Sequence, residues 1–338
     1  MIVNKYNYMH YITPQMRKVV DRVETWKQTN PMRGSWDSME GIEEYRAWYG
    51  EERAWWNEGG PQMAKTEDIW IPGGPNGQVN VRLHYPSLEP NLPILVYSHG
   101  GGDVCGNNDT HSRIMRILAD KTGCCVIGVN YKLSPEARFP SQILDVVTTV
   151  RYFHQNGAQY GLDGSDISLC GDSAGSIHCL STMLYLRNEY NETDYITAVL
   201  LYYAGCSGMK DCKSFRLWGN EFDELVFDKP VMAHNNFNSG WISEDQLDSP
   251  YYDQLMNNDL SWGIPATFIA CGDADPCLDS CTTLYEMLYE HGHTVSMTVY
   301  EGVMHAFIHY SRMMDVVYDS LQEAADFVER ARYIKKNK

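Results

Sequence analysis

Four short stretches of this 338-residue chain carry the residue types that nucleophilic catalysis requires. Gly171-Asp172-Ser173-Ala174-Gly175 fits G-x-S-x-G, the pattern of a serine held on a sharp strand-to-helix turn with its hydroxyl exposed. His99-Gly100-Gly101-Gly102 lies earlier, and three successive glycines let backbone N–H groups turn outward toward a developing oxyanion. "ACGDADPCLD" (270–279) offers Asp273, Asp275 and Asp279, and "EGVMHAFIHY" (301–310) offers His305 and His309. A serine hydroxyl needs a base, and the base needs an acid to orient it. The order Ser, Asp, His along the chain supplies both.

These residues need elements to hold them. From about residue 66 the sequence alternates short β-branched runs with amphipathic segments punctuated by glycine. "EDIWIPG" and "QVNVRLHYP" read as strands around a turn. "PILVYSHG", "CCVIGVNY", "ISLCGDSAGS", "ITAVLLYYAG", "PATFIACGDAD" and "TVSMTVYEG" read as further strands. "HSRIMRILADKTG", "FPSQILDVVTTVRYFHQNG", "SIHCLSTMLYLRN", "TTLYEMLYEHG" and "MMDVVYDSLQEAADFVERARYI" read as helices, with Gly123, Gly157 and Gly292 as stops. Such alternation predicts an α/β fold with a mostly parallel central sheet and helices on both faces. In sheets of that kind the working residues gather in loops at the carboxyl ends of strands, which is where all four stretches fall.

Within this frame Ser173 is the expected nucleophile. Gly171 and Gly175 are expected to be required because helix and strand nearly touch there. Asp275 and His305 are the preferred partners, each directly after a strand, with Asp273 and His309 as the fallbacks. The oxyanion donors are assigned to the N–H groups of Gly101, Gly102 and Ala174, and His99 to propping the glycine loop. The chemistry is acyl transfer, which needs neither metal nor organic cofactor.

Residues 1–60 have a different texture, with Trp26, Trp36, Trp48, Trp55 and Trp56 crowded together. "SMEGIEEYRAWYGEERAWW" carries the last three, with its tyrosines, at short helical spacings. Aromatics at this density need a surface to cover. The segment is read as the N-terminal part of a helical cap over a catalytic domain spanning 61–338, with the irregular stretch 206–260 as a second cap insertion.

Composition excludes several classes. With 27 Lys and Arg against 44 Asp and Glu, the net charge of −17 argues against nucleic acid or an anionic membrane as partner. The N-terminal residues contain no unbroken apolar run, so neither a signal peptide nor a membrane span is read there. The ten cysteines form no C-x-x-C pair, and so many thiols find their simplest home in a reducing cytoplasm. A homodimer is an assembly the sequence allows.

In combination these motifs resemble the hormone-sensitive-lipase-like family of α/β-hydrolases, close to its bacterial acetyl esterases and carboxylesterases. The similarity rests on H-G-G-G at 99–102, G-D-S-A-G at 171–175, "YKLSPEARFP" at 131–140, "DPCLD" around Asp275 and "GVMHAF" around His305. It runs from about residue 66 to the end. It implies a serine esterase acting on small-molecule esters with short acyl groups, acetyl to butyryl, through Ser173, His305 and Asp275. An amidase or peptidase using the same triad is the alternative. A non-catalytic binding protein, as in plant gibberellin receptors that resemble this family but lack the histidine, is disfavoured by His305. One departure stands out: Asp103 follows the glycines where the family usually has an aromatic or aliphatic residue. It is expected to touch a polar substrate group, to repel an anionic one, or to point into solvent.

Overall fold

The computed structural model describes residues 9–35, 38–206, 212–219 and 242–337. Two helices come first, α1 (Pro14–Thr29) and α2 (Met39–Asn57). Each starts on a hydroxyl cap that satisfies an orphan amide of the first turn: Thr13 accepts from Met16 N and Ser38 from Gly41 N. The sequence reading anticipated α2 but no helix over Pro14–Thr29. Yet Met16, Val19, Val20 and Val23 are all buried on α1, the i, i+3, i+4, i+7 spacing of a core-facing stripe.

The sheet follows, with β1 (Lys65–Pro72), β2 (Gln78–Tyr85), β3 (Leu92–Ser98), then α3 (Ser112–Thr122), β4 (Cys125–Asn130), α4 (Ser141–Asn156), β5 (Leu162–Asp172), α5 (Ala174–Tyr185), β6 (Ile196–Tyr202), β7 (Ala266–Ala274), α6 (Leu278–Glu290), β8 (Val295–Met304) and α7 (Asp315–Lys336). The eight strands lie in the order β1-β2-β4-β3-β5-β6-β7-β8. β1 pairs antiparallel with β2, and β2 antiparallel with β4; every later pairing is parallel. This is the mostly parallel α/β sheet expected from the alternation.

Burial explains the sequence texture. Every residue of the central strand β6 is buried, whereas edge strand β1 alternates and leaves most of one side to solvent, as strands covered on two faces and on one face must. Helices α3 and α7 pack together, as do α4 and α5, while α6 lies on β7 and β8. Gly123 ends α3 in the left-handed conformation, with φ 67°. Gly157 does not act as expected: its φ is −52°, the chain continues through a short 3₁₀ turn, and Gly161 takes the left-handed position with φ 74°.

The N-terminal helices are tied to the carboxyl edge of the sheet. Thr13 N donates to Gly302 O at 2.9 Å, in the strand that leads to His305. Arg46 of α2 donates to Val104 O and Ser134 O, both at 2.7 Å, and pairs with Glu136. Trp56 is buried edge-on against Tyr310. Trp36, and residues 207–211 and 220–241 of the stretch 206–260 read as a second cap insertion, lie outside the described residues. Among the described residues no helix is long and apolar enough to cross a membrane.

Candidate active site

Strand β5 ends at Asp172 and α5 begins at Ala174, leaving Ser173 alone between them with φ 52° and ψ −121°. A non-glycine residue at positive φ is strained and persists only where its surroundings fix it. Here the Ser173 amide donates to Tyr202 O at 3.0 Å on neighbouring β6. A Cβ on Gly171 would lie 2.3 Å from Gly175 O, so the first glycine of the motif is demanded by contact.

Ser173 Oγ stands 2.9 Å from His305 Nε2. On the other side of the ring, His305 Nδ1 lies 2.9 and 3.0 Å from the two oxygens of Asp275. Asp275 is fully buried and also accepts the Cys277 amide at 2.7 Å. An ionised carboxylate only accepts, so Nδ1 carries the ring proton and Nε2 offers its lone pair to the serine hydroxyl. The Cys277 thiol, 3.7 Å from His305 Nδ1, is pushed well above its ordinary pKa by burial and by Asp275. It stays protonated.

The fallback residues are occupied elsewhere. Asp273 accepts from Gly302 N at 2.6 Å and from Tyr11 OH at 2.7 Å, fastening the N-terminal segment to β8. His309 is buried with Nε2 3.5 Å from Asp172, and burial, with Arg53 and His111 nearby, holds its pKa down at about 3.

The glycine loop takes its shape from close backbone contacts. Gly101 has φ 123° and Gly102 φ 60°, and a Cβ on Gly101 would meet Cys105 O at 2.1 Å. The Gly101 carbonyl accepts the amides of Val104 and Cys105. The N–H groups of Gly101, Gly102 and Ala174 donate to no protein group among the described residues. His99 props the loop as expected: it is buried, stacks on Tyr131 at 4.2 Å, accepts the Tyr131 hydroxyl at its carbonyl, and donates from Nδ1 to Gly100 O. Burial, with His111 beside it, pulls its pKa to about 3, leaving it neutral.

Asp103 does not point into solvent. It is 6% exposed with φ 65°, and its Oδ1 lies 2.7 Å from Nε2 of the buried His178 on α5.

Three further residues escaped the sequence reading. Asp172, the variable position inside the elbow motif, is a buried hub: its Oδ1 accepts Tyr97 OH at 2.7 Å and Gly100 N at 2.9 Å. Burial alone would raise its pKa, but His111 and His309 hold it well below the usual carboxylate range. Tyr203 sits just past β6 at φ 41°, with its ring 4.6 Å from that of His305. His178 is the third. The type of Asp172 was visible, but an x position carries no rule, and Tyr203 is hidden inside an apolar run.

Two buried triplets bring possible metal ligands together, His111/Asp172/His309 and Asp275/Cys277/His305. The hydrogen bonds just described already engage both carboxylates. A cavity of about 210 Å³ lies between α2 and the 99–107 loop, lined by Arg46, Tyr49, His99 and Tyr131 among others. Ser173 is not among its lining residues.

Comparison with known structures agrees with this architecture. A hyperthermophilic esterase from the archaeon Pyrobaculum calidifontis matches at 23% identity over 95% of this chain and 98% of its own, with a TM-score of 0.83. A variant of LAE6, an alpha/beta hydrolase enzyme from the metagenome of Lake Arreo, Spain, matches at 24% identity over 95% and 99%, with a TM-score of 0.82. EstE1, a thermophilic carboxylesterase cloned from a metagenomic library, matches at 23% identity over 86% and 97%, with a TM-score of 0.77. The sequence model of the alpha/beta hydrolase fold matches residues 95–309, which run from β3 to just past His305. The chain therefore belongs to the α/β-hydrolase family, as its motifs implied.

Proposed function

We propose that the protein is a serine carboxylesterase that hydrolyses short-chain acyl esters, acetyl to butyryl, through Ser173, His305 and Asp275. The observation that carries this reading is the unbroken relay from Asp275 through His305 to Ser173, with the serine on a strained turn. The esterases among the structures it resembles support the choice of ester over amide.

In this mechanism His305 Nε2 takes the Ser173 proton as Oγ attacks the ester carbonyl, and Asp275 holds and stabilises the resulting imidazolium. The oxyanion is received by the amides of Gly101, Gly102 and Ala174. Ala174 is the first residue of α5, whose N-terminal dipole favours negative charge at that point. His305 then hands its proton to the leaving alcohol. Water, deprotonated by the same histidine, attacks the acyl-enzyme and frees the acid.

The N-terminal helices act as part of the cap. Tyr45 and Tyr49 of α2 are buried beside the loops after β3 and β4, Tyr45 at Cys105 and Tyr49 near His99 and Tyr131, and aromatic bulk there favours short acyl groups. All ten cysteines are unpaired, which suits a reducing compartment such as the cytoplasm.

The test is hydrolysis of p-nitrophenyl acetate, butyrate and octanoate by the protein and by Ser173→Ala. Rates highest on acetate and butyrate and abolished in the variant are expected. Equal or faster cleavage of octanoate would overturn the short-chain reading. Activity surviving in Ser173→Ala would overturn the triad, and an inert protein would redirect the search to amide substrates.

A further inference from the structure

We propose that Asp103 and His178 form a cross-tie that positions the two halves of the oxyanion hole relative to each other; this rests on the esterase reading above. The hole has two sources. Gly101 and Gly102 belong to the loop after β3, whereas Ala174 belongs to the first turn of α5. Nothing in the covalent structure fixes their separation. Asp103 is next in sequence to Gly102, and His178 lies one helical turn past Ala174. The 2.7 Å contact from Asp103 Oδ1 to His178 Nε2 therefore joins the two donor-bearing segments directly beside their donors.

The surroundings make the contact a fixed one. Both residues are buried, at 6% and 3% exposure. The approach is a close polar contact in which Oδ1 lies off the line of a ring N–H and makes no hydrogen bond. At the other end of the ring, Nδ1 lies 3.0 Å from Ser98 Oγ, the last residue of β3 and itself fully buried. Tyr131 packs edge-on against the His178 ring at 4.7 Å, which leaves the imidazole little rotational freedom. The loop side is held as well: the Asp103 carbonyl accepts Ser134 N at 2.7 Å, and its positive φ turns the side chain back toward α5. Ser98, His178 and Asp103 thus repeat the residue types of a catalytic triad. Here the serine has no access to substrate, and the array holds backbone in place. Asp103 and His178 are positioning residues.

Such a tie matters most when charge develops. A ground-state ester needs little from the donors, whereas the tetrahedral oxyanion needs them at hydrogen-bond distance. Loosening the tie should then lower kcat and leave KM alone.

The experiment compares His178→Ala with the conservative variants His178→Gln and Asp103→Asn. Gln keeps a polar amide facing Asp103, and Asn keeps a polar oxygen facing His178 while tolerating positive φ. His178→Ala is expected to lower kcat for p-nitrophenyl acetate about tenfold to hundredfold, the range for displacing rather than deleting a donor, with KM changed less than about twofold. Affinity for trifluoroacetophenone, which forms a tetrahedral adduct on the serine, should fall in parallel. His178→Gln and Asp103→Asn should keep most of the wild-type rate. Amide hydrogen exchange over residues 100–106 should rise in His178→Ala but not in the conservative pair, a readout that needs no ester hydrolysis.

Unchanged kcat and unchanged adduct affinity in a folded His178→Ala, in a protein that cleaves esters, would overturn the cross-tie alone. So would Asp103→Asn losing as much rate as His178→Ala, because charge rather than tethering would then be at work. If His178→Ala does not fold, the Asp103→Asn rate and exchange decide. A wild-type protein that cleaves no ester would overturn the esterase reading, and unchanged exchange in His178→Ala would then overturn the tie separately.

Discussion

A side chain on Gly175 would strike the carbonyl oxygen of Ser98 at 2.0 Å, with the Ser98 carbonyl carbon at 2.6 Å. The end of β3 and the first turn of α5 therefore touch backbone to backbone, and this contact brings the glycine loop alongside Ser173. Gly175→Ala cannot be absorbed by a rotamer change, because the obstacle is main chain. The variant should lose at least about 3 kcal/mol of stability, in the range of severe overpacking, and most of its esterase rate. Thermal melting and p-nitrophenyl acetate turnover read the two effects; a variant with wild-type values in both would mean that the elbow is looser than described.

Asp275 and Asp273 should separate cleanly. Asp275→Asn leaves His305 without an acceptor-only partner and favours the wrong tautomer, so kcat should fall by about 10⁴, as in triads generally. Asp273→Ala removes the acceptor of Gly302 N and Tyr11 OH and should cost about 1–3 kcal/mol of stability, with kcat altered less than about tenfold. Steady-state kinetics and denaturant melts of the two variants decide. The reverse pattern would make Asp273 the acid.

Asp172→Ala should be among the most damaging changes away from the triad. It strands the hydroxyl of Tyr97 and the amide of Gly100 inside the protein and removes the charge facing His111 and His309. Each buried donor left without its acceptor costs about 1–3 kcal/mol. Urea unfolding of the variant measures it, and a loss below about 1 kcal/mol would show the hub to be dispensable.

Acidification should destabilise the fold from about pH 6.5 downward, where most carboxylates are still ionised. Burial, reinforced by Arg82 at His84 and by Arg53 at His309, pulls His84 to about 4 and His99 and His309 to about 3. Unfolding returns each to about 6.5. Between those values the unfolded chain binds more protons than the folded one, so stability drops as pH drops. Asp145 works the other way: burial raises it to about 6, so it regains some stability as pH falls from about 6 toward 4. Three histidines against one aspartate leave a net loss. The melting temperature should fall by several degrees between about pH 7.5 and pH 5, and a flat or rising profile would contradict these assignments.

The strands and the meeting of Ser173, His305 and Asp275 were legible because each rests on a local signal: β-branched runs, glycine stops, and residue types immediately past a strand end. What was not legible depends on partners far away in sequence. Asp273 and Asp275 look alike on paper. A shift of register between Gly272 and Ala274 places Asp273 at an irregularity of β7, facing Gly302, and no propensity encodes that irregularity. Asp103 was noticed as a departure, but His178 sits on a different element. α1 was the converse case: its apolar stripe was present in the sequence and went unread, since Pro14 stands at its start, where proline is tolerated.

The clasp between Tyr11 and Asp273 spans 262 residues, and with Thr13 on Gly302 it closes nearly the whole chain into a ring just ahead of His305. Contacts that distant are the slowest to form, because loop closure must precede any gain from them. During synthesis the serine elbow emerges with its glycine loop already made, while the acid, the base and the surface awaited by α1 are still to come. The protein should therefore fold past Ser173 long before His305 and Asp275 reach it. Competence for chemistry would arrive as a late, single event, when the last strand and the first helix meet.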